Sequence, residues 1–147
     1  MRRFSLLLIA GVALVLAACS GGDDPGSSSP ASGDATRTVT ATLSDDMAIQ
    51  LSESDFRVGE TVRFEVTNAG AIVHEFYLGD EEEQAHHAEE MAEMGMSHDE
   101  PNGIAVEPGA TETLEYTFSE AGELLAGCHE PGHYEAGMVA SMTVMGE

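Results

Sequence analysis

Thr61-Val62-Arg63-Phe64-Glu65-Val66-Thr67-Asn68 alternates apolar and polar side chains without a break. Successive side chains of an extended chain point to opposite faces. Val62, Phe64 and Val66 therefore share one apolar face, and Thr61, Arg63, Glu65 and Thr67 share a wet one, the pattern of a half-buried strand. The signature recurs on both sides. Upstream, Thr38-Val39-Thr40-Ala41-Thr42-Leu43 alternates and Met47-Ala48-Ile49-Gln50-Leu51 follows it. Downstream come an apolar run over residues 72–78, a second alternation over 113–118, and runs over 124–128 and 138–145. Turn formers fall between them: Val58-Gly59-Glu60, Asn68-Ala69-Gly70, Glu107-Pro108-Gly109 and Ala121-Gly122. About seven short strands at this spacing predict an all-β, Greek-key β-sandwich.

One segment breaks the strand rhythm. Asp80 is a helix-capping residue, and Glu81, Glu82 and Glu83 suit the positive first turn of a helix. Gly95 and Pro101 mark its end, so one short helix is expected over residues 81–94, inserted between two strands. Around it lie His86, His87, Met91, Met94, Met96 and His98. Residues 87, 91 and 94 fall on one helical face. Two readings stay open: methionines packed on the sandwich, or a second copper site, since thioether and imidazole suit Cu(I).

The N-terminus reads differently. Met1-Arg2-Arg3 precedes a mostly apolar run over residues 4–18 that closes on Leu16-Ala17-Ala18-Cys19. This is the pattern of a secretory signal, and the run is shorter than the roughly 20 residues that span a bilayer as a helix. The Leu-Ala-Ala-Cys box resembles a bacterial lipoprotein signal. That resemblance implies a signal peptide over 1–18, a lipid on Cys19, and a protein held at the cell membrane facing the periplasm or the extracellular side. An ordinary signal followed by a free or disulfide-bonded Cys19 is the alternative. Residues 19–35 are mostly Gly, Ser, Pro and Asp with little to bury, so they read as a flexible tether with a reach on the order of 20 Å. Residues 36–147 are left for one domain, enough for a single core.

The chain carries 27 acidic residues, five arginines and no lysine, for a net charge of −22. A cut before Cys19 leaves Arg37, Arg57 and Arg63 as the fixed cations. Such a surface excludes nucleic-acid binding through a basic patch and repels anionic lipid, so membrane contact would run through the Cys19 lipid alone. It suits a basic protein partner or metal cations, though solubility or adaptation to salt would also account for it. Of the two cysteines, a lipidated Cys19 leaves Cys128 as a lone thiol in an oxidising compartment. Metal ligation protects such a thiol; burial as an inert residue is the other explanation.

Cys128 opens the stretch Cys128-His129-Glu130-Pro131-Gly132-His133-Tyr134-Glu135-Ala136-Gly137-Met138. Its Cys-x4-His-x4-Met spacing puts a thiolate, an imidazole and a thioether on one loop whose ends are held by strands. Pro131-Gly132 bends the loop so that Cys128 and His133 can face one point. A second imidazole, His74, lies in a separate strand. Two imidazoles, one thiolate and a weak thioether form a set that serves both Cu(I) and Cu(II), and so suits one-electron transfer. Taken singly, His74 could be a packed histidine and Met138 ordinary core.

At these residues the chain resembles the cupredoxins, the type 1 copper family of plastocyanin, azurin, auracyanin and rusticyanin. The loop spacing is nearer to the auracyanin and rusticyanin type. The flanks Val66-Thr67-Asn68, Ala121-Gly122 and residues 131–138, with the acidic insert, look most like periplasmic cupredoxins linked to copper tolerance. The resemblance covers residues 36–146. It implies one type 1 copper ion held by His74, Cys128, His133 and Met138, and a non-enzymatic electron carrier that docks a redox partner by a basic or apolar face near His133. A copper-tolerance protein that sequesters or transfers copper is the alternative. Two features stand apart. Glu75 follows His74 where many members carry Asn or Ser; pointed inward, its carboxylate would favour Cu(II) and lower the potential. His129 follows Cys128, and strand alternation should turn it away from the metal.

Overall fold

The computed structural model describes residues 36–94 and 99–146, all within the compact unit Ser32–Glu147. The expected signal peptide, the tether with Cys19, and Met96 and His98 lie outside the described residues, as does the side chain of Met94.

Among the described residues, nine strands and one helix follow in order. They are β1 (Arg37–Ser44), β2 (Ala48–Leu51), β3 (Asp55–Arg57), β4 (Thr61–Asn68), β5 (His74–Gly79), α1 (Glu81–Met94), β6 (Gly103–Val106), β7 (Thr111–Thr117), β8 (Gly122–Gly127) and β9 (Val139–Met145). They form two sheets, β2-β1-β4-β7 and β3-β9-β8-β5-β6. Most pairs are antiparallel, but β1–β4 and β3–β9 run parallel. The expected sandwich with one inserted helix is what the chain forms. It carries two strands more than the sequence pattern suggests. β3 and β6 have three and four residues, too few to display a period of two.

The inner faces meet in one core. Val39, Ala41 and Leu43 from β1 and Val62, Phe64 and Val66 from β4 oppose Phe76, Leu78, Ala126, Met142 and Val144. An aromatic cluster fills the centre. Phe56 stacks on Phe118 with centroids 4.4 Å apart, and Phe64 meets Phe56 edge-on at 6.0 Å and Phe76 at 5.5 Å. Offset and edge-on pairs of this kind add to what area burial alone supplies.

β5 differs from the other strands in being buried on both faces, because α1 covers its outer side. The helix starts where its sequence says it should. Asp80 Oδ1 accepts the Glu83 amide at 2.9 Å, and Glu83 Oε2 accepts the Asp80 amide at 2.9 Å, a reciprocal capping box. Gln84, one turn in, is fully buried and donates to the carbonyls of Tyr77 (3.2 Å) and Leu125 (3.0 Å), fastening the helix across β5 and β8. Gly127 permits this approach: a Cβ there would lie 2.4 Å from Gln84 Oε1 and 2.8 Å from the Tyr134 ring.

Candidate metal centre

Alternation along β5 puts His74 on the core face with Phe76 and Leu78, at the end of the strand. Cys128 follows β8 directly and joins the core cluster. The chain then turns through residues 129–138. Within the turn, the His133 amide donates to the Glu130 carbonyl (2.9 Å), the Met138 amide to the His133 carbonyl (3.0 Å), and the Cys128 amide to the Met138 carbonyl (3.1 Å). The three loop residues thus share backbone bonds that close the loop on itself. Gly132 and Gly137, at φ +82° and +100°, take the left-handed backbone the turns require.

The result is a tight triangle of ligand atoms. Cys128 Sγ lies 3.3 Å from His133 Nδ1 and 3.9 Å from His74 Nδ1, and the two Nδ1 atoms are 3.3 Å apart. Bonds of about 2.0–2.3 Å from nitrogen and sulfur to one ion in a trigonal plane would separate those atoms by roughly 3.5–3.8 Å. The donors therefore fit a single soft-to-borderline metal ion. His74 and Cys128 are fully buried, whereas His133 is half-exposed. Met138 is fully buried at the end of the same loop.

A set of surrounding groups fixes the ligands. His74 Nε2 meets Asp45 Oδ1 at 3.1 Å, and Asp45 Oδ2 accepts the Ala71 amide at 2.8 Å. A carboxylate behind the imidazole holds the proton on Nε2 and leaves the Nδ1 lone pair for a metal. The Ala71 amide, with His74 adding a smaller share, holds the Asp45 carboxyl below its usual range. Asn68, fully buried, donates to the carbonyls of Ile72 (2.7 Å) and Val106 (2.9 Å) and accepts the Gly70 amide (2.9 Å), bracing the approach to His74. The Glu75 amide donates to Cys128 Sγ at 3.3 Å. Asp45 carries no sequence signal as a partner of His74, since it lies 29 residues upstream in the β1–β2 turn.

Burial sets the protonation of the ligand side chains. It pushes the Cys128 thiol up to about 11. Burial, and then the neighbouring His74, push the His133 imidazole down. Before loading, the cysteine is thus a neutral thiol and His133 is biased toward its neutral, metal-binding form.

Glu75 and His129 both face away from the ligand triangle. The Glu75 carboxylate, fully buried, meets His87 Nε2 at 2.9 Å and accepts the His129 amide at 3.1 Å. Burial raises its pKa against the opposing pull of His87. An inward carboxylate is therefore not the arrangement found. His129 donates from Nε2 to Gln84 Oε1 (2.7 Å) and stacks on Tyr134; burial lowers its pKa to about 4. Of the Met/His residues on the helix, His86 is exposed while His87 and Met91 are buried.

No family model matches the chain. Two relatives described as copper-resistant cuproprotein CopI align with three quarters of it. The protein from Pseudomonas aeruginosa is 36% identical over 140 residues, 77% of its own length, and that from Rubrivivax gelatinosus is 41% identical over 111 residues, 67% of its length. Among solved structures, the dithionite-reduced auracyanin of Roseiflexus castenholzii superposes with a TM-score of 0.63 at 25% identity, covering 76% of this chain and 99% of that one.

Proposed function

The chain belongs to the CopI family of copper-resistant cuproproteins, with a cupredoxin fold, and from that premise we propose that it holds one type 1 copper ion and passes single electrons outside the cytoplasm. It is a copper-binding protein. The observation that carries the redox reading is the Cys128–His74–His133 triangle, in which two corners are buried and one reaches the surface. A trigonal His2Cys set with a thioether nearby lets one ion cycle between two valences without rebuilding its surroundings, and the two-sheet scaffold restrains the donors. His133 is the corner through which an electron would enter or leave. Ile72 and Val139, exposed large apolar residues adjacent in sequence to the ligand segments, suit a partner with an apolar face; the acidic surface suits one with a basic face. Membrane attachment through a lipid on Cys19, facing the periplasm or exterior, completes the proposal. On this proposal Met138 adds its thioether to the three donors, no position on the ion is left for a substrate, and the role is a non-enzymatic one.

A second reading, in which the protein sequesters or hands on copper, is favoured by the resistance named for its relatives. Retention of the ion on reduction separates the two. The copper-loaded protein is reduced with one equivalent of ascorbate beside a Cu(I) chelator, then reoxidised. A carrier regains its full visible band over repeated cycles. A band that returns only after copper is added back overturns the carrier reading in favour of delivery.

Loading should also depend on pH. Copper must displace the proton of a thiol that burial pushes up to about 11, while His133 is biased toward its neutral form. Thiol deprotonation is then the one-proton cost, and apparent affinity is expected to climb about tenfold per pH unit between roughly 7 and 9. Chelator competition at each pH measures the slope; a flat profile would remove Cys128 as a ligand that starts as a thiol.

A further inference from the structure

The face of β5 opposite the ligand triangle carries a second convergence of donors. His87, on α1, is fully buried, and its ring is fixed from two directions. It stacks flat on Tyr77, with centroids 3.8 Å apart and planes 2° from parallel, and its Nε2 meets the buried Glu75 carboxylate at 2.9 Å. The other ring nitrogen, Nδ1, is thereby aimed at two carboxylates: Glu90 Oε2 and Glu100 Oε1 each lie 3.8 Å away. The three ligand atoms lie within 4.8 Å of one another. Each carboxylate has its own anchor. Glu90 stands one turn along α1 from His87, and Glu100 is held by reciprocal backbone bonds with Gly103 at 2.8 and 3.2 Å. Both reach solvent, with side chains 44% and 23% exposed, so an ion has a way in.

We propose that His87, Glu90 and Glu100 form a second metal site for a borderline divalent cation, Zn2+ or Cu2+. Separations of 3.8 Å are too long for hydrogen bonds but match the spacing of donors around one ion at about 2.0–2.2 Å. An imidazole with a carboxylate behind its far nitrogen is the arrangement that orients a metal-binding histidine. One nitrogen and two carboxylates suit a borderline divalent ion, in contrast to the soft donors that Cu(I) takes. Of the described side chains among the residues considered from sequence for a second copper, His86, His87 and Met91, it is His87 that belongs to this group. Glu75 joins the two centres: its carboxylate backs His87 and its amide donates to Cys128 Sγ.

The test titrates Zn2+ into the full chain already loaded with copper, by calorimetry, with bound metals counted by mass spectrometry and the His87 ring followed by 15N NMR. The expected result is one Zn2+ beyond the copper, an unchanged visible band, and a shifted His87 Nδ1 resonance. Glu90→Gln with Glu100→Gln should weaken that Zn2+ by at least about 100-fold, whereas Glu82→Gln with Glu89→Gln, an equal loss of charge on the exposed helix surface, should leave it intact. Equal weakening in both pairs would reduce the effect to diffuse electrostatics and overturn the site, as would unchanged binding in the first pair. Repeating the titration in Cys128→Ser reads the second site without the first, so a failure of the copper assignment is distinguishable from a failure of this one.

Discussion

Cys128→Ser should give a folded, colourless protein that has lost tight copper binding. The sulfur is the one soft, charge-donating atom of the ligand triangle. It is fully buried and its surroundings are built for it: the Glu75 amide donates to it at 3.3 Å and both imidazoles lie within 3.9 Å. A serine oxygen is smaller and harder, and does not ionise at neutral pH. Without the thiolate there is no charge-transfer band with Cu(II), and two imidazoles plus a thioether form a far weaker set. A fall of about a thousandfold or more in affinity, about 4 kcal/mol, is expected. The hydroxyl itself costs about 1–3 kcal/mol on burial, within the 5–15 kcal/mol typical of a domain, so unfolding should stay cooperative. The visible spectrum of the Cu(II)-treated variant decides the matter. A Cys128→Ser chain that kept the band would place the chromophore elsewhere and end the type 1 assignment.

The sequence announces this centre because its chemistry is packed into one segment. Cys128, His133 and Met138 sit on one loop, and a loop between two strands has its ends held close. His74 is legible as a histidine in an apolar strand; its convergence with the loop is not, because that depends on β5 pairing with β8. The strands are legible in proportion to their length. β4 and β7 display three or more periods, while β3 and β6 gain their structure from neighbours, β3 through parallel pairing with β9 and β6 through β5. The helix is legible to its first residue because a capping box is local chemistry. What α1 covers is not local. Period-two alternation turns Glu75 and His129 away from the metal, yet nothing along the chain says that His87 and Gln84 will arrive above them. Asp45 is hidden for the same reason: its bond to His74 spans 29 residues.

Glu75 is where those distant parts meet, and its substitutions should separate shape from hydrogen bonding. Glu75→Leu keeps nearly the same volume in a fully buried place but removes the acceptor for two donors, His87 Nε2 and the His129 amide. Each orphaned group costs about 1–3 kcal/mol, so a loss of about 3–5 kcal/mol is expected, in the range for breaking one side of a buried polar pair. Glu75→Gln should cost far less, about 1 kcal/mol. Its amide oxygen can accept from the His129 amide, and its NH2 can donate to His87 Nε2 once His87 carries its proton on Nδ1. Urea unfolding of the metal-free proteins measures both. The order matters more than either value. Replacing a whole buried polar network by apolar groups is often neutral, but here Gln84, His87 and His129 stay behind. If the leucine variant matches the wild type, the carboxylate holds nothing together. If glutamine is as damaging as leucine, the charge itself is required, because His87 then keeps its proton on Nε2 and needs a carboxylate there to accept it.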